Sequence, residues 1–376
     1  MRGEEASLAR TIGLPQKREA MSSSPGRIQG FDGLRALAFL LVFVSHKTQS
    51  TVTERYGSAG VWMFFVLSGF LITRILATSR SEIEGGRATP SAALWDFYLR
   101  RTLRIFPVYY LFLCVIAVMD HLGILKIGNS YRQICDWLFL SNIYIEFYNW
   151  GVVGHLWSLA VEEQFYLLFA PLALLLPLRR LPHVCAALVG VSVAAHLGFL
   201  ARQADHIHFD ANSFVNFGLL GLGGLAGLAA DRPLPKVMRS DLAFCLGLAG
   251  FLVIPALTST PDWLHAGRLG GLLVALSLIQ IYQNQGGRAV AILNSAPLRR
   301  LGLISYGAYL FHPIISCRGA MEALGVHGLA AQIAGGSLDF ALTILVSTLS
   351  WRYFETPIRN LARRGRLAAQ TSAPAS

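Results

Sequence analysis

Charged residues are scarce in this sequence. Asp, Glu, Lys and Arg make up 14% of its 376 residues, against about 25% in ordinary soluble domains, which argues against a water-soluble globular protein. Cysteine is rare as well. Cys114, Cys135, Cys185, Cys245 and Cys317 are scattered, mostly in apolar runs, with no CxxC spacing, which excludes a disulfide framework or a zinc site. The first 27 residues contain no apolar h-region, so they read as a disordered cytoplasmic tail rather than a signal peptide, with Met21 as an alternative start. Residues 361–376 read as a second disordered tail. No internal repeat is found, which weakens a transporter built from repeated halves.

What the chain does have is apolar sequence, at 54% of residues and a mean hydropathy of +0.50. Windows of about 20 residues, long enough to span a bilayer, fall near 32–50, 58–78, 105–122, 156–177, 183–201, 213–230, 241–258, 267–284, 301–318 and 331–352. The expected architecture is an all-α integral membrane protein, a bundle of about ten transmembrane helices over residues 28–360, with both termini cytoplasmic. Charge placement supports that topology: 25 Lys and Arg fall on the inner side and 7 on the outer, of 32 in all, as the positive-inside rule requires. The same placement explains the net charge of +11 without a nucleic-acid partner. Segment 132–150, aromatic and broken by charges, reads as interfacial or re-entrant. Gly221, Gly224 and Gly227, like Gly247 and Gly250, sit at helix-packing spacing rather than in a phosphate loop.

Ionisable residues inside such spans are costly and mark function by default. Arg35 and His46 lie eleven residues apart in FDGLRALAFLLVFVSHKTQ, within roughly 20° of three full helical turns and about 16 Å of rise. One stripe of the first span thus carries an Arg towards the inner face and a His towards the outer. By the same topology Glu162 and Glu163, in HLWSLAVEEQFYLL, and His312, in SYGAYLFHPI, fall in the outer layer with His46. A carboxylate on one ring nitrogen would raise the basicity of the other, and consecutive glutamates point about 100° apart, so one at most faces His46. The inner layer gathers Arg35, Arg74, Arg100, Arg101 and Arg104, with Arg101 and Arg104 on one helix face. Such a pocket suits the phosphates of an anionic donor.

Plainer readings stand beside these. The arginines can be positive-inside anchors, His46 can reach outward to the interface, and Glu162, Glu163 and His312 can be structural partners. The DHIHFD run (Asp205, His206, His208, Asp210) offers metal-ligand types but reads as a solvated outer loop, and no metal site is expected. Glu355 reads as a cap or ion-pair partner at the inner surface.

Six blocks in order resemble the membrane-bound acyltransferase-3 family, which includes O-acetylases of bacterial surface polysaccharides. FDGLRALAFLLVFVSH is similar to its R-x10-H motif, FFVLSGFLIT to its second-helix signature and FYLRRTLRIFP to its RxxR element. WSLAVEEQFYLL matches its E-x-Q-F-Y pattern, and SYGAYLFHP and RYFETPIR resemble its last two blocks. Together they run from Ile28 to Arg359. The resemblance implies an acyl-CoA donor (acetyl-CoA above all) entering from the cytoplasm, with a hydroxyl acceptor, often a glycan, on the far side of a bacterial inner membrane. It implies that Arg35, Arg101 and Arg104 engage the donor, that His46 is the catalytic histidine and that Glu162 is its partner. Glu163, His312 and Arg74 remain further candidates. Many relatives have an acidic residue where this chain has Trp62, a departure that touches acceptor specificity. No esterase-like domain follows the last block, which implies the stand-alone form. Direct transfer and a covalent acyl-histidine both fit. The rival readings are a transporter or flippase for a lipid-linked glycan or small metabolite, and a silent membrane scaffold.

Overall fold

The computed structural model describes residues 27–48, 50–201, 210–258 and 263–361. Among them it is all helical. The helices are α1 (Phe31–Thr48), α2 (Thr51–Glu84), α3 (Pro90–His121), α4 (Ser130–Trp137), α5 (Ser141–Phe147), α6 (Leu156–Leu175) and α7 (Leu181–Ala201). There follow α8 (Ser213–Ala229), α9 (Asp241–Leu257), α10 (Trp263–Gln283), α11 (Arg288–Leu293), α12 (Ala296–Phe311), α13 (Arg318–Ala323) and α14 (Gly328–Ser350). The apolar windows of the sequence coincide largely with the longer helices, although the window at 301–318 runs past the end of α12 at Phe311. Five stretches, at α2, α3, α6, α7 and α14, are long and apolar enough to cross a membrane. Helices α8 and α9 are as apolar but only 17 residues each. The expected tails fall mainly on residues 1–26 and 362–376, and most of the DHIHFD run (Asp205, His206, His208) precedes Asp210; these lie outside the described residues.

Local signals set the boundaries. Ser50 and Thr53 form a capping box at the start of α2, satisfying two backbone donors that a helix start leaves open. Thr89 caps α3, whose first residue is Pro90, the position where a missing N–H costs nothing. The aromatic segment 132–150 does not cross as one helix; it breaks into the short α4 and α5. Within α4, Arg132 and Asp136 pair at 3.6 Å although only 1% and 2% exposed, and Tyr109 donates to the Asp136 carbonyl at 2.6 Å.

Helix α2 is the centre of the bundle, packing on α1, α6, α8 and α10. In lipid, apolar burial gives helices little reason to associate, so close backbone approach decides. A Cβ at Gly69 would land on the Leu220 carbonyl, and one at Gly223 on the Val66 carbonyl; α2 and α8 touch backbone to backbone. Gly221 and Gly224 face Cys185 of α7, and Gly227 faces the Phe70 carbonyl, so that glycine row packs helices, as its spacing predicts. Leu197 on α7 and Leu345 on α14 are more than half exposed, which suits a lipid-facing surface.

Candidate active site

Helix α1 carries both ends of the site, because Arg35 and His46 occupy one stripe of its 18 residues. Asp32, one turn before Arg35, accepts from Arg35 Nη1 at 3.1 Å and from Arg27 Nε at 2.5 Å. Those bonds hold the Arg35 guanidinium in the wall of a cavity of about 110 Å³. Arg35, Arg101, Arg104, Glu162, Tyr166 and Tyr309 are among the residues lining it. The predicted arginine trio therefore shares one cavity, and the i, i+3 pairing of Arg101 with Arg104 holds. Its neighbour Arg100 is half exposed, ion-pairs with Asp96 and is not part of the wall. Arg74 is elsewhere too: it donates to Gly227 O at 3.0 Å, to Asp231 at 2.9 Å and to the Tyr282 hydroxyl at 2.8 Å. It ties α2 to the end of α8 and to α10.

From the arginines the cavity runs between apolar side chains to Ser158 and Tyr309. These two hydroxyls lie 2.7 Å apart and both reach the His155 carbonyl, at 3.2 and 3.0 Å. Beyond Tyr309 comes the histidine layer. His312, fully buried at the C-cap of α12, sits 2.7 Å from His46, Nε2 to Nδ1. The ring planes are 11° apart with centroids at 4.9 Å, the spacing of imidazoles meeting edge to edge rather than stacked. His46 itself is exposed. The next residue, Lys47, pairs with buried Asp339 of α14 at 2.9 Å and donates to Ile315 O, which clamps the end of α1.

The expected pairing of His46 with Glu162 is not made. No hydrogen bond or ion pair joins them among the described residues; Glu162 accepts from Tyr166 at 3.1 Å instead. Tyr166 in turn lies 2.7 Å from Ser68 Oγ, and the Arg101 guanidinium sits 5.6 Å from its ring centroid. The physical reason is depth. Glu162 is one turn, about 6 Å, further along α6 than Ser158, which already marks the level of Tyr309. That turn carries it down to the arginines. Glu163 is buried with Oε1 lacking a hydrogen-bond partner among the described residues, outside the cavity wall.

One member of the histidine layer escaped the sequence reading. His155, 6% exposed, has neither ring nitrogen within good hydrogen-bond geometry of a partner among the described residues, and its ring centroid lies 5.7 Å from that of His312. A His directly before an apolar run was the available signal. Trp62, at the departing position, is buried against Gly267 and Gly270 of α10.

A cationic cavity beside a histidine layer suits group transfer from an anionic donor, and comparison with known proteins gives the class. Residues 28–351 match the acyltransferase domain of the acyltransferase-3 family, to which this chain belongs. It is 30% identical over 360 residues to the peptidoglycan O-acetyltransferase OatA of Listeria monocytogenes, covering 88% of this chain and 56% of that protein. It is 27% identical over 370 residues to the O-acetyltransferase OatA of Staphylococcus aureus, covering 91% and 59%. The chain thus spans little more than half the length of these relatives. No solved structure matches it.

Proposed function

We propose that this protein is a membrane-embedded O-acyltransferase that moves an acyl group, acetyl first among candidates, from cytoplasmic acyl-CoA to a hydroxyl of a glycan. The observation that carries the proposal is the single cavity joining Arg35, Arg101 and Arg104 to Tyr309, whose carbonyl accepts from His312 at 2.8 Å. In this reading the ten longer helices all cross the inner membrane, both termini are cytoplasmic, and the arginines bind the donor phosphates by charge-assisted hydrogen bonds. The pantetheine arm follows the apolar wall, which brings the thioester towards the histidines. The acceptor oxygen attacks the thioester carbonyl carbon while His46 takes its proton. The C–S bond then breaks, and the leaving thiolate collects that proton. General-base help of this kind contributes about 10²–10⁴-fold to rate. Glu162 serves the donor side, holding Tyr166 against Arg101. The peptidoglycan named for the Listeria relative makes a cell-wall glycan the first acceptor to test.

Binding and transport assays separate this reading from a transporter. Arg35→Ala and Arg104→Ala should each weaken acetyl-CoA binding to the purified protein; unchanged affinity in both would remove the donor site. Movement of a glycan across proteoliposomes with no acyl donor present would favour the transporter instead.

A further inference from the structure

Two hydrogen bonds determine where the protons of the histidine layer sit. His312 Nδ1 lies 2.8 Å from Tyr309 O and 3.2 Å from Ala308 O. Carbonyl oxygens only accept, so Nδ1 of His312 carries a proton and donates it. A neutral imidazole has one N–H; Nε2 of His312 is therefore a lone pair. That lone pair faces His46 Nδ1 at 2.7 Å, and a short contact between two ring nitrogens needs one proton between them. His46 Nδ1 supplies it, which leaves His46 Nε2 unprotonated.

We infer that His312 is a positioning residue that fixes the tautomer of His46, making Nε2 of His46 the atom that receives the acceptor's proton. This rests on the proposed role of His46 as the base. The work expected of Glu162 passes to a second imidazole, which suits the place: His312 is fully buried between Phe39, Phe43 and Tyr309, where an unpaired carboxylate would be costly. When His46 takes a proton, Nε2 of His312 still accepts from Nδ1, so the imidazolium keeps its partner. The groups facing this pair are Lys47 beside it on α1, His155 at the start of α6, and Asp339 of α14, bound to Lys47. None of these is hydrogen-bonded to either nitrogen of the pair.

The test is the 15N spectrum of histidine-labelled protein in bilayers, with the His46 signals identified by their loss in His46→Ala. The wild type should show His46 protonated at Nδ1 and bare at Nε2. His312→Leu should mix the two tautomers and lower kcat by at least about 10-fold while the KM for acetyl-CoA stays within about 3-fold. His312→Gln, whose amide oxygen can accept from His46 Nδ1, should recover much of the rate. A wild-type His46 protonated at Nε2, or a His312→Leu variant with unchanged kcat and tautomer, would overturn the inference. Failure of the parent reading looks different: activity would survive in His46→Ala whatever the spectrum shows.

Discussion

Arg100 and Arg101 are adjacent in sequence and carry the same charge at the same edge of the bundle, yet the structure gives them opposite fates. Arg101 lines the cavity; Arg100 is half exposed beside Asp96. If the arginines were only positive-inside anchors, removing either would matter equally. If Arg101 holds a donor phosphate, Arg101→Ala deletes a charge-assisted hydrogen bond worth about 1.5–3 kcal/mol, which is roughly 10–150-fold in Kd for acetyl-CoA. Arg100→Ala removes an exposed pair worth about 0–1 kcal/mol and should change Kd less than about 5-fold. Titration calorimetry on detergent-purified protein reads both values, with free CoA as competitor to show that the nucleotide end dominates. Equal losses in the two variants, or no loss in either, would refute the assignment of the cavity to the donor.

Two further outcomes follow from packing and titration. Gly69→Leu places side-chain atoms on the Leu220 carbonyl, so α2 must leave α8; overpacking of this kind costs about 1–3 kcal/mol, and a lowered thermal midpoint in detergent checks it. Burial pushes the Asp136 carboxyl up to about 7, against the pull of Arg132. Since an unfolded Asp titrates at about 3.9, the native state binds the extra proton between those values, and this contribution to stability falls as pH rises from about 4 through 7. Asp136→Asn should flatten that part of a thermal-melt pH series; an unaltered slope would contradict it.

Much of this architecture was legible in the sequence because membranes impose a simple code. Apolar length marks the longer helices, though not the short α4, α5, α11 and α13, and the eleven-residue offset of Arg35 and His46 sets one stripe on α1. Position along a helix is readable from residue number, so Arg101 and Arg104 could be expected beside Arg35. Which side of a helix faces which neighbour is not. Sequence position puts Glu162 and His312 equally near His46, and only packing separates them: α12 lies against α1, while a single turn of α6 lowers Glu162 to the arginines. Arg74 shows the same limit, since its level fits the inner layer but its side chain closes on Asp231 and Tyr282. His155 carried no recognised motif role and emerged only when its neighbours His312, Tyr309 and Phe112 were in place.

Acyl transfer by this protein should depend on His46. Membranes expressing wild type or His46→Ala at equal levels should be given labelled acetyl-CoA, and the extracted glycans analysed by mass spectrometry. One or more labelled acetyl groups should appear on a glycan in the wild type and none in the variant. Label appearing equally in both would contradict that dependence.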